Sequence, residues 1–380
     1  MAEEAVKMPK EVKKMPEQVR IVPNQVNTMA MQAETITKQA KIVLKQAQTQ
    51  PRQAKTVPRQ AVIQIRLWCL AIAVLVAVMV YLFINSHPEK PKLFSYILGL
   101  RLPTLVCMMI ACVSIGVATL IFQSIVNNRI VTPALLGMNS IYSFLHTAVV
   151  FVLGTSSTLY WNANLAFAVD LVTMGVVATL LYWYLFRATG HNILYIMLIG
   201  TVLSSLFGSV QSAMIRVMDP NEYDALLGSL VADFNNVNSE IILFAILILG
   251  TIAFFLRREL RLLDVITMGR HQAINLGVDY DTVIRKLLFG VVLCMAVATA
   301  TIGPVSFLGL IVANMARQVF KTYKHSYLIL GASLMGMLAL IGGQLVSQHI
   351  FHFTVPVSTF VTIAGGIYFL YLLLFKKGAY

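Results

Sequence analysis

Ten apolar stretches of roughly membrane-crossing length follow one another from Leu67 to Phe375, and they restrict the possible folds more than any other feature of the chain. An α-helix rises 1.5 Å per residue, so about 20 apolar residues cover a hydrocarbon core about 30 Å thick. The stretches lie approximately at 67–86, 103–123, 139–154, 163–186, 192–215, 241–256, 287–302, 304–320, 326–347 and 356–375. Hydrophobic residues make up 58% of the 380 and charged ones only 12%, more apolar surface than a soluble domain of this length requires. The expectation is an all-α polytopic membrane protein of about ten transmembrane helices, filling residues 67–380.

The formal charge of +13 does not point to nucleic acid, because no basic and aromatic module accompanies it. Lys and Arg gather on the cytoplasmic side of membrane proteins, and their distribution here is one-sided. With the amino terminus placed inside, the cytoplasmic connections carry Arg129, Arg187, Arg317, Lys321, Lys324, Lys376 and Lys377. The outer connection at 216–240 is acidic, with Asp219, Glu222, Asp224, Asp233 and Glu240. Lys90, Lys92 and Arg101 break the rule in the first outer loop. Both termini are expected to be cytoplasmic. Residues 1–66, rich in Gln, Lys, Val and Pro, show no signal-peptide pattern and read as a basic, mostly disordered, low-complexity tail, either an extension without a specific role or one that anionic membrane lipid would attract. Cys69, Cys107, Cys112 and Cys294 fall in or beside apolar spans and read as small core residues, not as disulfides or metal ligands.

Between the sixth and seventh spans lies a polar stretch, 257–286, holding Arg257, Arg258, Arg261, Arg270, Arg285 and Lys286. It is too long for a simple connector, and Gly269 and Gly277 mark where short helices begin and end. A many-spanning protein with a structured inner segment of this kind suggests a transporter driven by a soluble partner. Two other elements echo one another: Thr132-Pro133-Ala134-Leu135-Leu136-Gly137 and Gly303-Pro304-Val305-Ser306-Phe307-Leu308-Gly309. Each sets a proline four or five residues before a glycine at the edge of a span. They read either as broken helices beside a translocation path or as ordinary helix starts with proline in the first turn.

Arg101-Leu102-Pro103, Gln123, Asn128, Pro133 and Leu136-Gly137 resemble the RLPR…LLQ…NPLA-P-LLG signature of FecCD-type permeases. Ala273-Ile274-Asn275-Leu276-Gly277-Val278 is similar to that family's A-x-x-LG(V/I), and Gly303–Arg317 to its GPIxFVGLIVPHxAR. Val355-Pro356-Val357 and Gly365-Gly366 before Tyr368-Phe369-Leu370 resemble its carboxy-terminal motif. The resemblance implies a cobalamin-permease-like, type II ABC importer architecture that moves ferric siderophore, haem or cobalamin by alternating access. It also implies partners: a second permease subunit (identical or related), two ATP-binding cassette ATPases, and an extracytoplasmic substrate-binding lipoprotein or periplasmic protein. Arg270, Ala273, Leu276 and Gly277 would then belong to the ATPase-coupling segment, and Arg101 to docking of the binding protein. Pro133, Gly137, Gly303, Pro304 and Gly309 would belong to the translocation path. The family's second RLPR arginine is Thr104 here, its Pro-His pair is Ala313-Asn314, and Gly366 replaces a usual proline.

The chain has no GxxxxGK[ST] phosphate loop, so ATP hydrolysis is expected in a separate subunit; no cofactor and no resident metal are expected. The other class to weigh is an ion-coupled secondary transporter, which needs buried ionisable groups. Asp170 is the candidate, read as a proton relay, a packing partner or an interfacial residue. His146 reads as a packing or hydrogen-bonding residue, and His349 and His352 as interfacial. No motif of an intramembrane enzyme is present.

Overall fold

The computed structural model describes residues 59–86, 89–155, 157, 162–190, 193–232, 234 and 239–375. The low-complexity tail expected over 1–66 therefore lies outside the described residues as far as residue 58. Twelve α-helices run through the described part: α1 (Arg59–Phe83), α2 (Pro91–Val126), α3 (Asn139–Leu153), α4 (Ala163–Ala188), α5 (Ile193–Val217), α6 (Pro220–Leu230), α7 (Ser239–Ile266), α8 (Arg270–Asn275), α9 (Tyr280–Ile302), α10 (Leu308–Phe320), α11 (His325–His349) and α12 (Val357–Phe375). A π-helical turn, Ala134–Met138, leads straight into α3. Each of the ten apolar stretches coincides with one helix. Eight are long and apolar enough to cross a bilayer, while α10 and the apolar Val357–Leu372 part of α12 are shorter.

The largest departure from the sequence expectation is in α2. The second span looked as though it opened at Pro103, yet the helix begins twelve residues earlier at Pro91 and passes through Pro103. Proline suits the first turn because its missing N–H needs no partner there, and Pro91 takes that place. The carbonyl that Pro103 crowds belongs to Gly99, around which there is open space. At 36 residues, α2 is about 54 Å long and outreaches the hydrocarbon core. It stops at Asn127, whose left-handed conformation (φ 50°) is one that asparagine tolerates.

α2 and α9 form the centre. They pack on each other, with α4 and α7 against α9 and α11 against α2. Their most apolar stretches are 78% and 72% buried, against 11% for those of α1 and α5. Close approach in the centre relies on small residues, as membrane helices do in the absence of a hydrophobic drive between them. Gly116 meets Ala332, and Gly336 meets Cys112. Cys107, Cys112 and Cys294 are buried free thiols in this core, whereas Cys69 is exposed on α1. Trp68, Ile72 and Leu75 on α1, Val202 and Leu206 on α5, and Ile363 and Ile367 on α12 are exposed, a belt suited to lipid or to another apolar surface.

Most of the polar stretch 257–286 is helix. α7 continues to Ile266 and α9 starts at Tyr280, so only the six-residue α8 and its two flanking turns connect them.

Candidate functional site

α8 is an elbow built by its two glycines. Gly269 precedes it at φ 103°, and Gly277 follows it at φ 80°. The Gly277 N–H donates to the Ile274 carbonyl and the Val278 N–H to that of Ala273, at 2.9 and 3.0 Å. This double bond pattern is the Schellman stop, which requires a left-handed residue where Gly277 stands. Ala273 is fully buried, whereas Ile274 and Leu276 are 49% and 62% exposed. The elbow is thus anchored by one small residue and presents a short apolar face outward. Arg270 pairs with Asp281 at 3.0 Å, tying α8 to the start of α9. Asp279 caps α9, and the Thr282 hydroxyl and N–H beside it hold its carboxyl below the usual carboxylate range. On the flank, Lys286 of α9 reaches Glu259 of α7 at 2.9 Å.

The two echoing elements meet. The Asn139 amide, just after the Ala134–Met138 turn, donates to the Val305 carbonyl at 3.2 Å and lies 3.5 Å from the Ser306 hydroxyl. Pro133 caps the π turn, and Gly137 inside it has φ 98°. A side chain at Gly137 would collide with Ser204 of α5. The Tyr182 hydroxyl of α4 donates to the Leu136 carbonyl at 2.7 Å. In the second element, Gly303 ends α9 at φ 86°, ψ 177°. Its Cβ position lies 3.1 Å from the Ala232 Cα, so another residue would be strained in its dihedrals and crowded against backbone. Pro304 follows, and Phe307 caps α10 in the left-handed region (φ 61°). Gly365 of α12 leaves the room that Phe307 occupies, and Gly309 packs on Thr119 of α2. Each of these non-helical bends carries backbone that lipid cannot satisfy, so each is sheltered inside the bundle.

The segment between α2 and the π turn is pinned by motif residues. Gln123 and Asn314 both donate to the Arg129 carbonyl, at 2.7 and 3.0 Å, and the Asn128 carboxamide accepts from the Ile130 N–H at 2.9 Å. Asn314, one of the departures from the family pattern, here bridges α10 to that segment.

Arg101 is buried, and its Nη1 donates to the carbonyls of Tyr81, Leu82 and Ile84 at 2.8, 3.0 and 2.7 Å. Its guanidinium also lies over the Tyr81 ring, 5.5 Å from the centroid. In this conformation it closes the end of α1, and an ion pair with a separate protein would require it to leave those carbonyls. Thr104 donates to the Phe234 carbonyl at 3.1 Å.

Two polar assemblies, one buried and one closed over a half-buried Asp264, escaped the sequence reading because their members are far apart along the chain. His146 of α3 and Asp170 of α4 pair at 2.8 Å inside the bundle. At the elbow end, the Asp264 carboxylate of α7 accepts from the backbone N–H of His325 at 2.9 Å and also meets its Nδ1. His325 Nε2 then lies 2.7 Å from the Ser124 hydroxyl of α2. The relay joins α7, α11 and α2 two residues before α7 gives way to the elbow. His349 turns back to the Leu345 carbonyl of its own helix, and His352 is exposed in the following turn.

The sequence profile of the FecCD transport family matches residues 65–375. The petrobactin import system permease protein YclO of Bacillus subtilis (strain 168) is 39% identical over 281 residues, 74% of this chain and 89% of that one. The petrobactin import system permease protein FatC of Bacillus anthracis is 31% identical over 293 residues, 77% and 83% of the two chains. Among solved structures, an inward-facing metal-chelate type ABC transporter superposes with a TM-score of 0.69 over 82% of this chain and 99% of that one, at 20% identity. That likeness is one of fold, and it agrees with the architecture expected from the motifs. By the profile match over most of its length and by its identity to these permeases, the chain belongs to the FecCD transport family.

Proposed function

We propose that this chain is the membrane permease of an ATP-driven importer, that its cargo is a ferric siderophore, and that α8 receives the stroke of a separate ATPase. The observation that carries the reading is the elbow: Ile274 and Leu276 exposed on a six-residue helix whose Ala273 is wholly buried. An apolar face on a rigid, glycine-bounded helix suits the cleft of a soluble partner. The Asp264–His325–Ser124 relay supplies a route from the end of α7 to the central α2. Two ATPase subunits, a second permease copy or a related chain, and an outer substrate-binding protein complete the proposed assembly. The elbow end is taken as cytoplasmic on the strength of its arginines.

The cargo assignment draws support from the petrobactin permeases named above. α5 supports a wide, weakly adhesive path between two permeases. Thr201, Ser205, Ser209 and Ser212 are exposed on it, each hydroxyl already bonded to a carbonyl of its own helix. Such a face offers a chelate little to bind tightly. Ion coupling has less support, since His146 already partners Asp170.

The test is uptake of a radioiron-labelled siderophore into cells or vesicles carrying the whole importer, with haem and cobalamin as alternative cargoes. Uptake that requires the cognate ATPase and is selective for the siderophore supports the proposal. Uptake of haem or cobalamin alone would reassign the cargo.

A further inference from the structure

Beside the elbow, a cavity of about 560 Å³ opens between the last turns of α4 and the first turns of α9. Its inner wall is apolar, formed by the buried Phe186, Leu288 and Val292. Trp183 and Phe289 line its open side and are 43% and 47% exposed. Its rim is cationic, with Arg187, Arg270 and Arg285 set against a single carboxylate, Asp281. Arg270 is the rim residue that pairs with that carboxylate, at 3.0 Å. Arg285 donates to the Asp281 carbonyl and to the Thr282 hydroxyl, both neutral acceptors. Arg187 lies over the Trp183 ring at 5.5 Å. Neither Arg187 nor Arg285 is ion-paired among the described residues; Asp279 lies within electrostatic reach of Arg285 without bonding to it, and Arg187 faces no such carboxylate.

The rim lies where α4 ends and α9 begins, the level at which tryptophan and phospholipid phosphate meet in a bilayer. An apolar slot below, cations above and an open side lined by aromatic rings form an amphipathic receptacle. A small soluble anion would use the rim and leave the slot empty. A zwitterionic lipid would bring its own cation to guanidiniums that need an anion. We propose that the cavity binds one anionic phospholipid, an acyl chain lying along Phe186, Leu288 and Phe289 and the phosphate on Arg187 and Arg285. Basic pockets between membrane helices recognise anionic headgroups on this principle. Because Arg270 shares the rim and belongs to α8, the lipid sits against the elbow itself. The inference does not depend on which cargo is carried or on what drives transport.

Of the three tryptophans in the chain, Trp183 is the one that reports on the cavity, so Trp68→Phe and Trp161→Phe leave a single-tryptophan protein. This protein is placed in phosphatidylcholine vesicles doped with brominated phosphatidylglycerol or brominated phosphatidylcholine, and quenching of Trp183 is titrated. The expected result is half-quenching by the brominated phosphatidylglycerol at a mole fraction lower by a factor on the order of ten. Arg187→Gln with Arg285→Gln should abolish the preference, and the double Lys variant should restore much of it. Millimolar inorganic phosphate should not relieve the quenching. Equal quenching by the two lipids overturns the proposal, and that comparison needs no charge variant to fold. A preference that survives the double Gln variant also overturns it. Relief by phosphate would mark a small-anion site instead and count against it equally.

Discussion

Three carbonyl oxygens at the end of α1 depend on one guanidinium, that of Arg101. Arg101→Ala leaves them without their donor and should cost about 1–3 kcal/mol for each that finds no water. A lowered midpoint in thermal unfolding of the detergent-solubilised protein checks this. An unchanged midpoint with weakened capture-protein binding would return Arg101 to the docking role that its motif implied. Gly277 tests the elbow at the same scale. There is open space around it, so Gly277→Ala adds no clash and only the strain of a left-handed alanine, about 1–2 kcal/mol. The expected outcome is a protein still inserted in the membrane in which ATP hydrolysis no longer tracks uptake. Fully coupled transport by this variant would remove the case for α8 as the receiving element. Gly303→Ala should be more damaging, because the backbone of Ala232 crowds a Cβ there in addition to the strain of the dihedrals. Loss of membrane-inserted protein on expression is the measure.

At the scale of elements, the junctions are made by polar side chains. Asn139→Leu removes the amide joining the π turn to the 303–307 bend, and should lower uptake severalfold while leaving membrane-inserted protein at its normal level. His325→Ala severs α11 from both Asp264 and Ser124, and should reduce stimulation of the ATPase by cargo-loaded binding protein more than it reduces basal hydrolysis. Equal loss of both would make the relay merely structural. These elements differ in how visible they were in the sequence. The spans were legible because about 20 apolar residues admit little but a membrane helix. The elbow was legible because Gly269 and Gly277 bracket it. The start of α2 was misplaced because Pro103 carries the same local signal as Pro91, and nothing local distinguishes a proline inside a helix from one that opens it. His146–Asp170 and Asp264–His325–Ser124 could not be read, since pairing over 24, 61 and 201 residues is set by helix packing. Arg101 was legible as important but not in its orientation, which depends on where α1 ends.

The described residues have a buried centre, α2 with α9, and exposed apolar helices at its edge. Carboxylates inside the spans are scarce among the described residues, and Asp170 is paired with His146, as expected of a body moved by a partner and not of one that binds ions for its own drive. Asp170→Asn should accordingly leave ATP-dependent uptake within about twofold of normal, because an amide can keep the hydrogen bond to His146. Abolished uptake in that variant, with transport persisting after ATPase depletion, would favour the ion-coupled class. The most direct test of the central claim is reconstitution of the permease in vesicles, with and without its ATPase and binding protein, followed by accumulation of ferric siderophore. The account predicts accumulation only when all components and ATP are present, with no effect of a proton or sodium gradient. Accumulation by the permease alone, driven by an ion gradient, would contradict it.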